Sequence, residues 1–537
     1  MRTSHLVALA TLTALGACTG HITGGGDDGP PEIIDGVPCD DERPVARQLR
    51  LLTRREYQNT IRDLLGVDVD TSTIPVEPRP QGFDNTAAAM VVTSRHLDAF
   101  IALAEDAVER ALTTRRAELV PCDAAAADCP RRFVESIGVR ALRRPLDAEE
   151  VAAFTGAFAG RSFDDGVRVA LGAMLVSPSF LYRWEIGLTV GQQARLTPYE
   201  VASSLSYLFW GSLPDQALFD AARDGKLATA EERMAQARRM LADPRARDQI
   251  ADFVGQWLRT DGITASKDAS IYPGFTDAVR VAMTEEERRF ITEVVFEKNG
   301  TFRDLFVSDH VIVNDTLADF YGVSRPGTGG GFAPVSVTPE SGRGGLLGLG
   351  SVLASHAHSN ESSPIKRGVF VRRRLLCQDL PDPPPSLDTT PPGLDPTLTT
   401  RERFAAHTAD PACSGCHQYI DSVGFGLEGF DGAGARRTVE NGRSVDLSGE
   451  VLGLEDLGDD TRTPFHDGPG LAALIAESEA AQECLPLQYF RYARGIEVTS
   501  DDACAVHNLQ LTFTESDLSI QDLLVAIVGQ PSFAVRN

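Results

Sequence analysis

The hydrophobic and polar positions of the chain alternate mostly with the period of an α-helix. Thr53 and Glu56 form the pattern of a capping box, in which each side chain satisfies the other's exposed amide. Tyr57 and Ile61 follow at helical spacing, and Gly66 can close the C-terminus of the helix. The pattern therefore predicts a helix between Thr53 and Gly66.

Similar helix starts recur along the chain. Asp147 stands three residues before a Glu, and Thr197 is followed by Pro198 and then by a Glu at the third helical position. A third start is predicted at Thr284, where the acidic run 285–287 is interpreted as a first turn that faces the helix dipole. We expect residues 46 to 320 to be almost all helical.

Strand signals are sparse. Thr438 to Val451 is predicted to form a hairpin, because Asn441-Gly442 suits a type I′ turn between the two halves. The glycine-rich run 344–350 lacks the Lys and Ser/Thr of a phosphate loop and is interpreted as close packing or a bend. The three tryptophans are interpreted as core anchors rather than sugar platforms: Trp184, Trp210 and Trp257.

The N-terminus has the pattern of an export signal. Arg2 and His5 precede an apolar stretch that ends at Leu15, and Gly16-Ala17-Cys18 follows. The segment around Cys18 resembles a bacterial lipobox, which implies lipidation of that cysteine. A Gly-, Asp- and Pro-rich stretch follows and is predicted to be a flexible tether. We expect an exported outer-membrane lipoprotein, anchored in the membrane by its lipid and facing the periplasm or the exterior.

Composition and charge narrow the function. Apolar residues make up 42% and charged residues 24% of the chain, which is typical of a folded globular protein. The 51 basic and 76 acidic residues give a net charge of −25, which disfavours binding to nucleic acid.

One motif carries recognisable chemistry. Cys413-Ser414-Gly415-Cys416-His417 has the spacing of a c-type haem attachment site. Two thiols add to the two porphyrin vinyl groups, and the next residue supplies an imidazole to the iron. The motif therefore predicts one covalent haem c, with His417 as the proximal ligand. A thioredoxin-like redox pair and a zinc site remain as alternatives.

The distal iron ligand is left open by the sequence. The last methionine is Met283, far upstream of the haem motif, so a downstream Met ligand is excluded. His358, in a polar loop, is the candidate distal ligand. An open distal position would permit oxygen or peroxide chemistry. The other candidate histidines are His356, His407, His466 and His507.

The remaining cysteines are predicted to form disulfides in an oxidising compartment. Cys122 and Cys129 can close a small loop, and Cys484 can pair with Cys504. That arrangement would leave Cys39 and Cys377, but spacing alone does not fix the connectivity.

Several motifs resemble those of a known family. The chain is similar to the secreted, cytochrome-c-associated proteins built from five consecutive modules of unknown function, first noted in planctomycetes. The resemblance implies export and a haem-binding role, with the haem motif in the fourth module, and it implies no substrate. The matching segments are residues 52–57, 63–66, 140–146, 177–183, 243–246, 256–258, 362–368, 413–417, 421–431 and 492–495.

These observations together predict a mainly α, multi-module helical body with a small irregular and β-hairpin region around a single c-type haem motif. The leading hypothesis is a mono-haem cytochrome-like protein that transfers electrons to or from a redox partner protein in the envelope. The alternatives are a haem-dependent oxidase or peroxidase acting on an extracellular polymer or its fragments, and a non-catalytic scaffold. The predicted segments are a signal peptide (1–17), a tether (18–45), helical modules (46–115, 116–190, 191–325), the haem-motif module (335–455) and a C-terminal helical module (465–537).

Overall fold

The computed structural model describes residues 38–39, 42–260, 263, 266–380, 392–408, 411–454 and 462–537. The predicted signal peptide, Cys18 and most of the predicted tether lie outside these residues, as does the side chain of His407. Among the described residues, no helix is both long and apolar enough to cross a membrane.

The protein is mainly α-helical, as the sequence predicts. The α-helices are α1 (Arg54–Leu65), α2 (Ser94–Leu119), α3 (Cys129–Leu142), α4 (Ala148–Gly156), α5 (Phe163–Leu175), α6 (Pro178–Leu181), α7 (Pro198–Trp210), α8 (Gln216–Arg223), α9 (Ala230–Leu241), α10 (Arg245–Leu258), α11 (Asp277–Thr292), α12 (Phe302–Phe306), α13 (Asp315–Tyr321), α14 (Gly350–Ser355), α15 (Pro364–Phe370), α16 (Thr400–Thr408), α17 (Pro411–Phe425), α18 (Gly468–Glu477), α19 (Glu479–Arg494), α20 (Ala503–Glu515) and α21 (Ile520–Gly529).

Two π-helical turns extend α11 and α15 at their C-terminal ends, over Glu293–Glu297 and Val371–Leu375. Short 3₁₀ turns occupy Thr71–Thr73, Pro80–Gly82, Ala87–Ala89, Pro339–Ser341, Leu346–Gly348, Ser500–Asp502 and Pro531–Phe533.

The strands are short and form small antiparallel sheets. The strands are β1 (Gln48–Leu51), β2 (Tyr182–Glu185), β3 (Leu188–Val190), β4 (Gln193–Arg195), β5 (His310–Val313), β6 (Ala333–Ser336), β7 (Val439–Glu440), β8 (Arg443–Ser444), β9 (Gly449–Leu452), β10 (Arg462–Phe465) and β11 (Val535–Arg536). Their pairing order is β1–β2, β11–β4–β3, β5–β6, β7–β8 and β9–β10.

Three apolar clusters form the interior. The largest joins α7–α10 to α18–α21 and to the region around α15 and α17, with Phe253 between Trp257 and Tyr489. A second cluster holds α1–α3 and α5 together around the rings of Tyr57 and Phe100, whose centroids lie 5.1 Å apart. A third, smaller cluster lies between α11, α13 and β5.

The two ends of the described chain meet in the same region. β11 pairs with β4, and Arg536 Nη2 lies 2.5 Å from Glu185 Oε2 on β2. Arg50 on β1 also faces Glu185, and all three side chains are buried. This buried charge network joins the N-terminal strand to the C-terminus.

The predicted helix starts are confirmed at three positions. Capping boxes begin α1 at Thr53, α4 at Asp147 and α7 at Thr197. The predicted start at Thr284 is wrong, because α11 begins at Asp277 with Thr276 as its N-cap.

The acidic run inside α11 therefore does not face a helix dipole. Glu286 and Glu287 are buried, and they accept hydrogen bonds from Tyr321 and Thr260. Glu285 pairs with Arg288 and Arg289. Tertiary partners therefore account for Glu286 and Glu287, and arginines one turn along the same helix account for Glu285.

The hairpin at Asn441-Gly442 is confirmed, and both turn residues have positive φ, as a type I′ turn requires. Its second strand is shorter than predicted and ends at Ser444, since β9 pairs with β10 instead.

The prediction for the tryptophans holds at two of the three positions. Trp210 and Trp257 are buried, and their indole N–H groups donate to the carbonyls of Met240 and Arg374. Trp184 is 39% exposed on β2, so it is not a core anchor.

Candidate functional site

The motif predicted to attach haem lies on one helix. α17 carries Cys413, Cys416 and His417, which share a face because residues three and four apart in a helix are neighbours. Cys413 is buried, Cys416 is exposed, and both are free thiols. Two thiols and an imidazole on successive turns of one helix are the donor set that covalent haem attachment requires.

His417 is oriented by a carboxylate on the next turn of the same helix. Its Nδ1 lies 2.8 Å from Asp421 Oδ1, and both side chains are mostly buried. A histidine that donates its Nδ1 hydrogen to a carboxylate has its tautomer fixed and presents Nε2 as the coordinating nitrogen. These residues therefore fit an imidazole that would hold iron, with a carboxylate that orients it.

Asp421 lies in the family-like segment 421–431, and the haem motif alone assigns it no role. The sequence holds a signal for it, because a carboxylate four residues after a histidine on a predicted helix lies on the same face. Two other carboxylates of the segment 421–431, Glu428 and Asp431, have different partners: Glu428 pairs with arginines, and Asp431 accepts hydrogen bonds from the amides of Ala433 and Ala435.

α17 is held against α15 by a close approach of the two backbones. A Cβ atom at Gly368 would collide with the carbonyl of Ile420, and one at Gly424 would collide with the carbonyl of Pro364. Only glycine allows the two helices to pack at this separation. The segment 362–368 therefore supports the helix that carries the haem motif.

A buried arginine of α15 holds the segment that follows the C-terminal end of α17. Arg367 Nη1 lies 2.9 Å from Glu428 Oε1 and also donates to the carbonyls of Leu427 and Phe430. Ser362 donates to Glu428 Oε2 at 2.6 Å, and Arg437 Nη2 lies 2.5 Å from that oxygen. Glu428 is thus a structural partner of two arginines.

The middle of α17 has a second arginine support. Arg372, in the π-helical turn after α15, donates to the carbonyl of Tyr419 at 2.8 Å and to that of Leu452 at 2.6 Å. Burial lowers the pKa of Arg372 to about 10. At the C-terminal end of α17, the Arg401 guanidinium lies 4.4 Å from the centroid of Phe425.

The candidate distal histidines lie in different places. His356 stacks on Phe370, with its Nε2 2.9 Å from the carbonyl oxygen of Leu258, and burial lowers its pKa to about 4. The backbone of His358 accepts a hydrogen bond from Lys267 at 2.8 Å and donates one to Glu361. Iron ligation by His358 stays a prediction.

His466 is exposed after β10, and His507 lies on α20. Among the described residues, no group of three or more His, Cys, Asp or Glu side chains is arranged to hold a metal ion.

The six other cysteines that the structure describes form three disulfides. Cys122 pairs with Cys129, as predicted. The suggested pairing of Cys484 with Cys504 is wrong, because Cys484 pairs with Cys377 and Cys504 pairs with Cys39. Contacts between segments that are distant along the chain determine these two pairings.

Both of these disulfides join segments that are far apart in the sequence. The side chain of Asn508 on α20 exchanges two hydrogen bonds with the backbone of Cys39. Cys377 follows the π-helical turn Val371–Leu375, which packs against α19, the helix that carries Cys484.

Comparison with known families finds five consecutive modules. Each matching family is described as a protein of unknown function: DUF1587 over residues 50–113, DUF1595 over 129–185, DUF1592 over 196–323, DUF1588 over 343–440 and DUF1585 over 461–533. No curated protein and no solved structure matches the chain. The matched set agrees with the multi-module family that the sequence motifs resemble, and Cys413 to His417 falls within the DUF1588 match.

Proposed function

We propose that this chain, which carries the five consecutive modules of that family, is an exported c-type cytochrome-like protein that transfers electrons at the cell envelope. One haem would be held by thioether bonds to Cys413 and Cys416, with His417 as an axial ligand. The observation that carries the proposal is the chemical state of the cysteines. The six others that the structure describes are paired in disulfides, while the two of the motif are thiols on one helix face.

The surroundings of the motif support this role. The Asp421 carboxylate orients the His417 ring, and a carboxylate partner makes an imidazole a stronger donor. The contacts of α15 hold α17 rigidly, which keeps the imidazole in one position. When bound, haem supplies a one-electron couple whose potential depends on the axial ligands and on their hydrogen bonds.

The proposal includes the location of the protein. The N-terminal sequence supports export and lipidation at Cys18, and the three disulfides suit an oxidising compartment. The donor or acceptor of electrons would be a redox partner protein in the same envelope.

The test is an absorption spectrum of the exported protein, produced with the c-type haem maturation machinery, together with a pyridine haemochrome assay. We expect a c-type spectrum that stays with the denatured chain. The variant Cys413→Ala/Cys416→Ala should lose it. The matched control is Cys122→Ser/Cys129→Ser, which removes another cysteine pair and should keep the full haem content.

The outcomes separate the competing functions. A low-spin spectrum supports electron transfer, whereas a high-spin spectrum that reacts with peroxide favours an oxidase or peroxidase. Exported wild-type protein without haem would overturn the proposal and favour a scaffold in which Cys413 and Cys416 have another role.

A further inference from the structure

Strand β2 has an inverted distribution of polar and apolar side chains. Side chains alternate between the two faces of a strand. On β2, Arg183 and Glu185 point inward and are buried, while Tyr182 and Trp184 occupy the outer face. Tyr182 is half-buried and packs against the second apolar cluster, whereas Trp184 is exposed while its charged neighbours are buried, the reverse of the usual distribution. It indicates a role beyond folding.

The outer face of β2 forms one wall of a cleft of about 270 Å³. The cleft lies between the DUF1595 and DUF1592 segments, with Tyr199 and Ser203 of α7 on the opposite side. Trp184 is 39% and Leu188 67% exposed, so the cleft is open to solvent. Its volume suits a ligand the size of one sugar ring, slightly below the usual range for small-molecule pockets of roughly 300–1,000 Å³.

The cleft contains a polar group with no partner in the protein. Ser203 is only 5% exposed, and its hydroxyl oxygen makes no hydrogen bond. A buried polar atom without a partner is destabilising unless another molecule satisfies it. Among the residues that line the cleft, Ser203 is the one whose hydroxyl oxygen is buried without a partner, and a ligand there would satisfy it by donating or accepting a hydrogen bond.

The charges around the cleft are balanced, which argues for a neutral ligand. Arg144 lies over the Trp184 ring and forms a two-point ion pair with Glu150, at 2.8 and 2.7 Å. Arg143 donates to the carbonyls of Ser179, Phe180 and Tyr182 and to the hydroxyl of Tyr207.

The Glu200 carboxylate on the other wall is also engaged. It accepts hydrogen bonds from the amides of Ile186, Gly187 and Thr197. The two arginines and the two glutamates are therefore all engaged by protein groups. The aromatic ring faces and the hydroxyl groups of the cleft are what remains to recognise a ligand.

From this arrangement we infer that the cleft binds one pyranose unit of a neutral saccharide. One face of a sugar ring carries C–H groups that pack on an exposed aromatic ring, and its hydroxyl groups form hydrogen bonds at the rim. Trp184 would supply the stacking surface, and Ser203 would bind a sugar hydroxyl.

The test uses the exported full-length protein and an immobilised array of neutral gluco-, manno-, galacto- and xylo-oligosaccharides. The tightest-binding member is then titrated in solution by calorimetry. Trp184→Ala should weaken binding at least tenfold. Ser203→Ala should weaken it about 2- to 10-fold, the range of one hydrogen bond. Val281→Ala, which removes an exposed apolar side chain on α11, is the matched control and should bind as the wild type does.

Thermal unfolding of the variants separates binding from folding. Ser203→Ala removes a hydroxyl that has no protein partner, so its unfolding temperature should not fall. No retention of any saccharide, equal binding by wild type and Trp184→Ala, or binding of indole or phenol alone would overturn the inference. It does not depend on haem, so the cysteine variants of the haem motif should bind saccharide normally.

Discussion

Arg367 and Glu428 form an ion pair in the interior of the module that carries the haem motif. Arg367 Nη1 lies 2.9 Å from Glu428 Oε1, and the two side chains are 1% and 3% exposed. The pair joins two segments that the sequence shows only as separate motifs, at 362–368 and 421–431. It fixes the position of α17, the helix with Cys413 and His417.

We predict that Glu428→Gln destabilises the protein by about 3–5 kcal/mol, because a buried Arg367 would lose its counter-charge. The measurement is denaturant-induced unfolding followed by circular dichroism. Glu135→Gln breaks an exposed ion pair with Arg131 and should cost less than about 0.5 kcal/mol. Equal effects of the two substitutions would show that the buried pair is not a structural lock.

The contact between His417 and Asp421 predicts an effect on the reduction potential of the proposed haem. Asp421→Asn keeps the shape of the side chain but removes the charge that strengthens the imidazole as a donor. The oxidised iron would then be less stable, so the potential should rise. If the site favours oxidised over reduced iron tenfold less strongly, the reduction potential rises by about 59 mV for this one-electron couple.

The check is a potentiometric titration of both proteins at equal haem content. Asp277→Asn, which removes one negative charge at a position 93% exposed on α11, serves as a control for charge alone. A potential that does not change in Asp421→Asn would remove Asp421 from the site.

The buried Glu286 predicts a pH dependence of stability. Burial raises its pKa from 4.5 to about 7, although its hydrogen bond from Tyr321 opposes that shift. Between these pH values the folded protein binds more protons than the unfolded chain, so stability decreases as the pH rises from 4.5 to 7. The contribution amounts to about 3 kcal/mol.

Glu286→Gln should therefore flatten this part of the stability profile and be most stabilising, relative to the wild type, at neutral pH. The measurement is the unfolding free energy at several pH values between 4.5 and 8. Glu149→Gln, at an exposed position on α4, should follow the wild-type profile. A parallel decrease in Glu286→Gln would assign the pH dependence to another group.

The disulfides predict unequal contributions to stability. Cys377–Cys484 closes a loop of 107 residues and Cys122–Cys129 one of 7. Loop-closure entropy gives about 4.7 kcal/mol for a loop near 100 residues and about 2 kcal/mol for the short one. Cys377→Ser/Cys484→Ser should thus lower the thermal unfolding temperature more than Cys122→Ser/Cys129→Ser. The reverse order would show that local packing outweighs chain entropy.

The sequence by itself determined the elements that depend on neighbouring residues. The capping boxes at Thr53, Asp147 and Thr197 and the turn at Asn441-Gly442 use side chains within a few residues of each other, so a local pattern is sufficient. The same holds for the motif from Cys413 to His417, whose spacing is a property of one helix. The short disulfide Cys122–Cys129 belongs to this class as well.

The tertiary structure decided what depends on contacts between distant segments. α11 begins at Asp277 rather than at Thr284, so the acidic run lies inside the helix, where Glu286 and Glu287 are buried against Tyr321 and Thr260. The pairing of Cys39 with Cys504 follows from the packing of the N-terminal segment on α20, which spacing does not contain. Trp184 is exposed because the charge network around Glu185 occupies the inner face of β2, and the alternation of the strand then turns the aromatic ring outward.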